Sequence, residues 1–147
     1  MQISDSPQLR EVFTTSVHQN AAGHYTKAQL DAWAPAEYDA EEWERLLVQL
    51  QPFIVEQDGL IVGFADLQPN GYIDRFYVRG GWSGRGIGTA MLDYILDLAW
   101  DRSIPVLTAH VSLAAQPLFL SHGFEIVEHE EKEVRGQVLA RALMRKS

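Results

Sequence analysis

The sequence predicts a mixed α/β fold (α+β in the strict sense), with a central sheet that carries helices on its faces. Three observations predict it. The first third places apolar residues at helical spacing, and after Pro52 the chain changes to short strands separated by turn dipeptides. A glycine-rich connector then joins a strand to an amphipathic helix, followed by strand, short helix and hairpin.

The elements follow in order. Asp5-Ser6-Pro7 offers a cap with proline just inside a helix, whose stripe is Leu9, Val12, Phe13 and Val17. A second helix spans 27–33 and stops before Pro35; a third runs over 40–51 with Trp43, Leu46, Leu47 and Leu50 on one face. Trp33 and Trp43 read as core anchors rather than ligand platforms. Strands over 53–56 and 60–67 flank Asp58-Gly59, a hairpin turn signal. Asn70-Gly71 turns the chain into a strand over 72–78. The helix after the glycine-rich loop turns Met91, Leu92, Ile95, Leu96 and Ala99 inward and Asp93, Asp97 and Asp101 outward. Pro105 precedes a strand over 106–112, and a short helix over 114–121 is capped by Gly123. Segments 124–134 and 138–145 form a closing hairpin around Arg135-Gly136-Gln137.

A chain of 147 residues suits one domain, 1–147, with no linker or internal repeat. Its net charge of -8 argues against a nucleic-acid partner and against attraction to anionic membranes. Such a charge reads first as solubility, with mild steering of cationic substrates as the alternative. No cysteine is present, which removes disulfides, thiolate metal sites and an acyl-cysteine intermediate. The first residues show no basic region followed by an apolar stretch, so the expected location is the cytoplasm. His18, His24, His122 and His129 show no ligand-like grouping, and no metal site is expected.

The chemistry lies in the connector 78–89. Gly84, Gly86 and Gly88 alternate and leave backbone N–H groups uncovered where the positive end of a helix dipole points. That arrangement suits a phosphate or pyrophosphate. A P-loop would place lysine before Thr89, where Ile87-Gly88 stand; a dinucleotide fingerprint would bring the third glycine one residue later.

The run from Tyr72 to Val78, followed by Gly84 to Leu92, resembles the acetyl-CoA motif of the GNAT superfamily of N-acetyltransferases. The family pattern is arginine or glutamine, two residues, glycine, one residue, then glycine or alanine. Gly86 and Gly88 match it, while Ser83 stands at the first position and loses one long polar contact. Ala115, Phe119 and Gly123-Phe124 are similar to the family's helix beside the pantetheine arm. The likeness covers nearly the whole chain. It implies a mixed, mostly antiparallel, twisted sheet, here with the N-terminal edge strand short or absent.

The resemblance also implies a mechanism. The strand 72–78 would carry a bulge and splay from its neighbour, with the thioester of acetyl-CoA in the gap. Backbone groups of Phe76 and Val78 would bind the pantetheine, and the amides from Ser83 and Gly84 through Ile87, Gly88 and Thr89 the pyrophosphate, with Arg85 as a cationic partner and Phe119 beside the acyl chain. Asp74 is the first candidate for the base, directly or through a water, and otherwise reads as a surface carboxylate paired with Arg75 or a neighbour; His110 on the facing strand is the second candidate. His110 also reads as a hydrogen-bonded structural histidine. The family often places tyrosine where Phe119 stands and asparagine where Ser112 stands. Ser112 could orient a water, or the thiolate leaves unassisted. The acceptor would be a small-molecule or peptide amine, with His24, Tyr25, Trp33 and the 66–71 region lining its pocket by position. A homodimer is left open. The alternatives are a CoA-binding sensor without catalysis and a nucleotide-binding domain unrelated to acyl transfer.

Overall fold

The computed structural model describes residues 1–147. A 3₁₀ turn over Ile3–Asp5 leads into α1 (Ser6–Thr15), which continues as a π-helical turn over Ser16–Asn20. No strand precedes α1. Next come α2 (Lys27–Trp33) and α3 (Ala40–Leu50). Thr26 and Gln29 form a capping box at α2, and Asp39 Oδ1 accepts from the N–H groups of Glu41 and Glu42 at α3.

The strands are β1 (Phe53–Gln57), β2 (Leu60–Ala65), β3 (Tyr72–Ile73), β4 (Phe76–Val78), β5 (Leu107–Ser112), β6 (Glu125–Val134) and β7 (Gln137–Lys146). Helix α4 (Ile87–Asp101) follows β4, and α5 (Gln116–Ser121) follows β5. The strands form two sheets, β1-β2-β4 and β3-β5-β7-β6. Only β3 and β5 run parallel; every other pair is antiparallel.

The stretch expected as one strand over 72–78 is therefore two, interrupted at Asp74 and Arg75. Its first half pairs with β5 and its second half with β2. The two sheets are thus joined through one stretch of chain, and beyond Ile73 the neighbours β4 and β5 share no ladder. The closing hairpin also turns more tightly than expected. Gln137 pairs with Val134, so only Arg135 and Gly136, both at positive φ, make the turn.

Gly71 fixes where the parallel pairing starts. Its φ is +87°, and a β-carbon there would lie 2.0 Å from the Val106 carbonyl oxygen. Only glycine lets the two chains approach this closely, and the Gly71 carbonyl then accepts from Thr108 N–H at 3.0 Å.

Two apolar clusters cover the sheets. Helices α4 and α5 pack Met91, Leu92, Ile95 and Phe119 onto Val62, Ile73, Ala109, Val111 and Met144. Helices α1 to α3 bring Leu9, Val12, Phe13, Leu30, Trp43 and Leu47 onto Ile61, Phe64 and Leu139. Strand β2 belongs to both clusters, which explains its unbroken apolar run. No helix is long and apolar enough to cross a membrane.

Candidate functional site

The interruption between β3 and β4 has a chemical cause. Asp66, fully buried, accepts from Arg75 N–H at 2.6 Å through Oδ1 and from Asp74 N–H at 3.3 Å through Oδ2. Two successive amides therefore point to the same side, which a regular strand forbids. Gln68 Nε2 donates to the same carboxylate at 2.7 Å. Burial raises the Asp66 pKa above the ordinary carboxylate range, and these donors only partly offset it.

The ladder beyond the bulge decides which backbone groups remain for a ligand. The Arg75 carbonyl accepts from Asp66 N–H, and Arg79 N–H donates to the Val62 carbonyl. Residues 75, 77 and 79 thus face β2, and by strand alternation Phe76 and Val78 turn their N–H and C=O groups toward β5. One of these groups is already engaged: Asn20 Nδ2 donates to the Val78 carbonyl at 2.9 Å. Thr15 Oγ1 accepts from Gly80 N–H at 2.9 Å, so the end of α1 fastens the start of the glycine-rich loop.

That loop is exposed from Ser83 to Gly86. Gly84 and Gly86 have φ of +77° and +81°, and no atom lies within 4 Å of where their β-carbons would be. Gly86 caps α4 without a side-chain acceptor, and no acidic residue stands in the first turn. The first N–H groups of a helix have no partner within it, so this terminus presents them to open space, as the binding of an anion would require. Arg85 is exposed and stacks over Trp82 at 4.5 Å. Thr89 is exposed too, whereas the Ile87 side chain is buried, which leaves only its amide for a ligand. Gly88 lies where α4 meets β4 and α5; a β-carbon there would be 3.0 Å from Leu118 and 3.9 Å from Phe76. These residues fit a pyrophosphate-bearing donor, with the loop abutting Phe76.

Phe76 and Phe119 line a narrow cleft of about 60 Å³ between β4 and β5. Phe119 is also a core residue, 2% exposed, with its ring edge-on to Phe76 at 5.3 Å and to Phe124 at 5.0 Å. A second cavity of about 680 Å³ opens on the side of α1 to α3 and the β6–β7 hairpin. Trp33, Asp74, Tyr77, His110 and Ser112 line both. The three residues expected to be catalytic therefore meet at the junction of cleft and cavity.

Asp74 is exposed there and forms no ion pair with Arg75, whose guanidinium has no carboxylate within 4.0 Å. His110 is held differently. Its Nδ1–H donates to Glu130 Oε1 at 2.5 Å, and Arg141 Nε donates to the same oxygen at 3.2 Å. The bond from His110, followed by the charges of His110 and Arg141, lowers the Glu130 pKa. With Nδ1 so engaged, Nε2 is the ring nitrogen left without a partner. Burial, then the charge of Asp74, raises the pKa of Tyr72, which packs edge-on to His110 at 5.8 Å.

Some expectations need correcting. Trp33, read as a core anchor, is only half-buried and lines both cavities, while Trp43 is buried as expected. Of the residues placed near the acceptor by position, Tyr25 and Trp33 line the large cavity. His24 and the 66–71 segment do not, because Asp66 is consumed by the bulge and Gln68 to Gly71 form the turn into β3. Sequence reasoning missed Glu130, Arg10 and Arg135 altogether. Glu130 lies in an acid-rich segment, 125–133, which the sequence marked only as one arm of the closing hairpin. No group of three or more histidine, cysteine or acidic residues converges to hold a metal.

Comparison with known proteins agrees with this geometry. The family described as the acetyltransferase (GNAT) domain matches residues 21–146. The uncharacterised N-acetyltransferase YafP of Escherichia coli strain K12 is 30% identical over 144 residues, covering 98% of this chain and 91% of that protein. A GCN5-related N-acetyltransferase from Rhodopseudomonas palustris superposes with a TM-score of 0.94 at 30% identity, over 100% of this chain and 92% of that one. The PaiA N-acetyltransferase of Thermoplasma acidophilum, solved with coenzyme A, shares the fold at 18% identity, with a TM-score of 0.76 over 99% of this chain and 94% of that one. With a strand that splits beside a glycine-rich helix start and a likeness that runs the length of the chain, this protein belongs to the GNAT acetyltransferases.

Proposed function

We propose that the protein moves an acetyl group from acetyl-CoA to a primary amine by direct transfer while both substrates are bound. The observation that carries this reading is the meeting of two cavities at Asp74, His110 and Ser112. The cleft beside the glycine-rich loop takes the donor, and the large cavity takes the acceptor. The amine nitrogen attacks the thioester carbon, a C–N bond forms, the C–S bond breaks, and coenzyme A departs as the thiolate. The ammonium proton passes to Asp74, directly or through a water, with His110 as second candidate. An outward-facing N–H of Phe76 or Val78 supplies a donor to the oxygen that gains charge. Without a cysteine, transfer needs no acyl-cysteine stage.

Phe119 favours a second reading, a CoA-binding module without turnover. Its ring lies at the cleft where a phenol would serve as acid, and it has no proton to give. Turnover separates the readings: release of free coenzyme A from acetyl-CoA with a panel of primary amines supports transfer, and binding without release supports the module. Thermal stabilisation by ATP or NAD, with none by coenzyme A, would exclude both.

The donor site has its own test. Gly86→Glu adds bulk and negative charge where the phosphates would lie; no neighbouring atom is displaced, although the φ of +81° adds local backbone strain that circular dichroism and thermal melting must show to be tolerated. The variant is expected to fold while its coenzyme A affinity falls at least about tenfold, the effect of losing one charge-assisted contact or more. A folded variant that keeps wild-type affinity in calorimetry would remove the phosphate-cradle assignment.

A further inference from the structure

We infer that the acceptor amine also carries a carboxylate, and that Arg10, Arg75 and Arg135 bind it in the 680 Å³ cavity. The inference rests on the acetyl-transfer reading for the role of that cavity as the acceptor site.

The three arginines come from α1, from the bulge between β3 and β4, and from the tip of the β6–β7 hairpin. All three line the same cavity. None has a carboxylate within 4.0 Å, since the ion pairs of the chain involve Lys27, Arg79, Arg141 and three histidines. Scarcity of acids does not explain this, because the chain has 20 acidic residues against 12 basic ones. Converging guanidinium groups repel one another, and an anion bound among them would offset that repulsion.

Their orientation is nonetheless fixed. Arg10 Nη2 donates to the Pro35 carbonyl at 2.9 Å, and Arg135 Nη1 donates to the Ala32 carbonyl at 2.7 Å. Arg10 stacks at 4.2 Å over Tyr38 and at 5.1 Å over Trp43, and its buried Nε has no hydrogen-bond partner. Arg75 lies 5.7 Å from the Phe13 ring centroid. Burial and then the charges of Arg135 and Arg75 lower the Arg10 pKa, although the nearby Tyr38 opposes them. Burial would also lower that of Arg75, but Tyr77, Asp74 and Asp66 hold it above its ordinary value.

The other charges of the cavity are accounted for separately. Arg141 is committed to Glu130 and Asp39 to the start of α3, while Glu37, Glu42 and Lys132 line the cavity as exposed side chains, as Arg135 does. Asp74 stands at the junction with the donor cleft. An amine at Asp74 and an anion at the arginines define a molecule with both groups. The walls beside them include Phe13, Tyr25, Trp33 and Tyr77, which suits the apolar or aromatic side chain of an α-amino acid whose ammonium and carboxylate reach Asp74 and the neighbouring arginines.

The test uses L-phenylalanine, L-tryptophan, L-leucine and L-methionine, each beside its α-carboxamide, titrated calorimetrically into the protein saturated with coenzyme A. At least one acid is expected to bind about tenfold or more tightly than its amide, as a charge-assisted hydrogen bond provides. Arg75→Gln should abolish that preference and leave amide affinity unchanged. Arg135→Gln, at an exposed hairpin tip, should reduce it and keeps the test available if Arg75→Gln does not fold. Equal binding of acids and amides, binding of neither set, or equal weakening of both sets in the folded variants would overturn the inference. Release of coenzyme A from acetyl-CoA is scored separately. A retained preference for acids without release would overturn acetyl transfer while leaving the anion site in place, whereas release with amides alone would do the reverse.

Discussion

Replacing Asp74 by asparagine is expected to lower turnover by about 10²–10⁴-fold, the usual cost of a lost general base, with coenzyme A affinity unchanged. The substitution is isosteric, and Asp74 is exposed with its backbone N–H held by Asp66, so the bulge should survive it. Loss of the base should also remove the acidic limb of the pH dependence of kcat/KM. The measurement is steady-state kinetics across pH, alongside calorimetry with coenzyme A. Should Asp74→Asn keep the wild-type rate and profile, the base is His110. Its bond to Glu130 then gives the next experiment: Glu130→Gln would weaken the hold on Nδ1 and shift the pH profile without touching substrate.

Asp66→Ala is expected to remove about 2–4 kcal/mol of stability, because it strands the amides of Asp74 and Arg75 and a Gln68 donor in a largely buried place. Turnover should fall on the order of 10²-fold as well, since the same amides set the positions of Asp74 and of the Phe76 edge. Urea denaturation and kinetics measure the two effects. Asp66→Asn keeps an oxygen for one amide and should fall between alanine and wild type. Wild-type stability and turnover in Asp66→Ala would show that the bulge holds without its carboxylate. The pH dependence has a definite sign. Because burial raises the folded pKa of Asp66, its contribution to stability is full below the ordinary carboxylate range and is lost as pH rises through the folded value. Asp66→Asn should abolish that component.

Local chemistry made most of the fold legible. Pro7 announces the start of α1, Asp58-Gly59 and Asn70-Gly71 announce turns, and Gly123 ends α5 where the Phe124 N–H reaches back to the Phe119 carbonyl. The open glycine-rich loop at the start of α4 was equally legible, because its alternating glycines need no distant partner. What escaped depends on contacts between remote segments. A broken apolar alternation over 73–78 suggested a bulge, but nothing local tied it to Asp66. The link from His110 to Glu130 crosses β7, and the arginine cluster assembles from three elements that only the folded chain brings together. Periodicity also misjudged Trp33, since α2 ends there and its ring rests on the rim of the site, against Tyr25 at 5.6 Å.

The split strand has a further consequence, for solubility. A β-strand with unpaired amides and carbonyls ordinarily invites the strand of another molecule, and proteins blunt their outer margins against it. Here the outer margin at β6 carries Glu125, Glu128, Glu130, Glu131, Lys132 and Glu133. The vacant side of β4 needs no such guard. It lies beside β5, with the Asn20 amide from the end of α1 on the Val78 carbonyl and Gly88 of α4 close to Phe76, so that only a narrow cleft adjoins it. Aggregation is therefore discouraged at β6 by charge and at β4 by the narrowness of the cleft beside it, which leaves the groups on β4 to a slender flexible molecule.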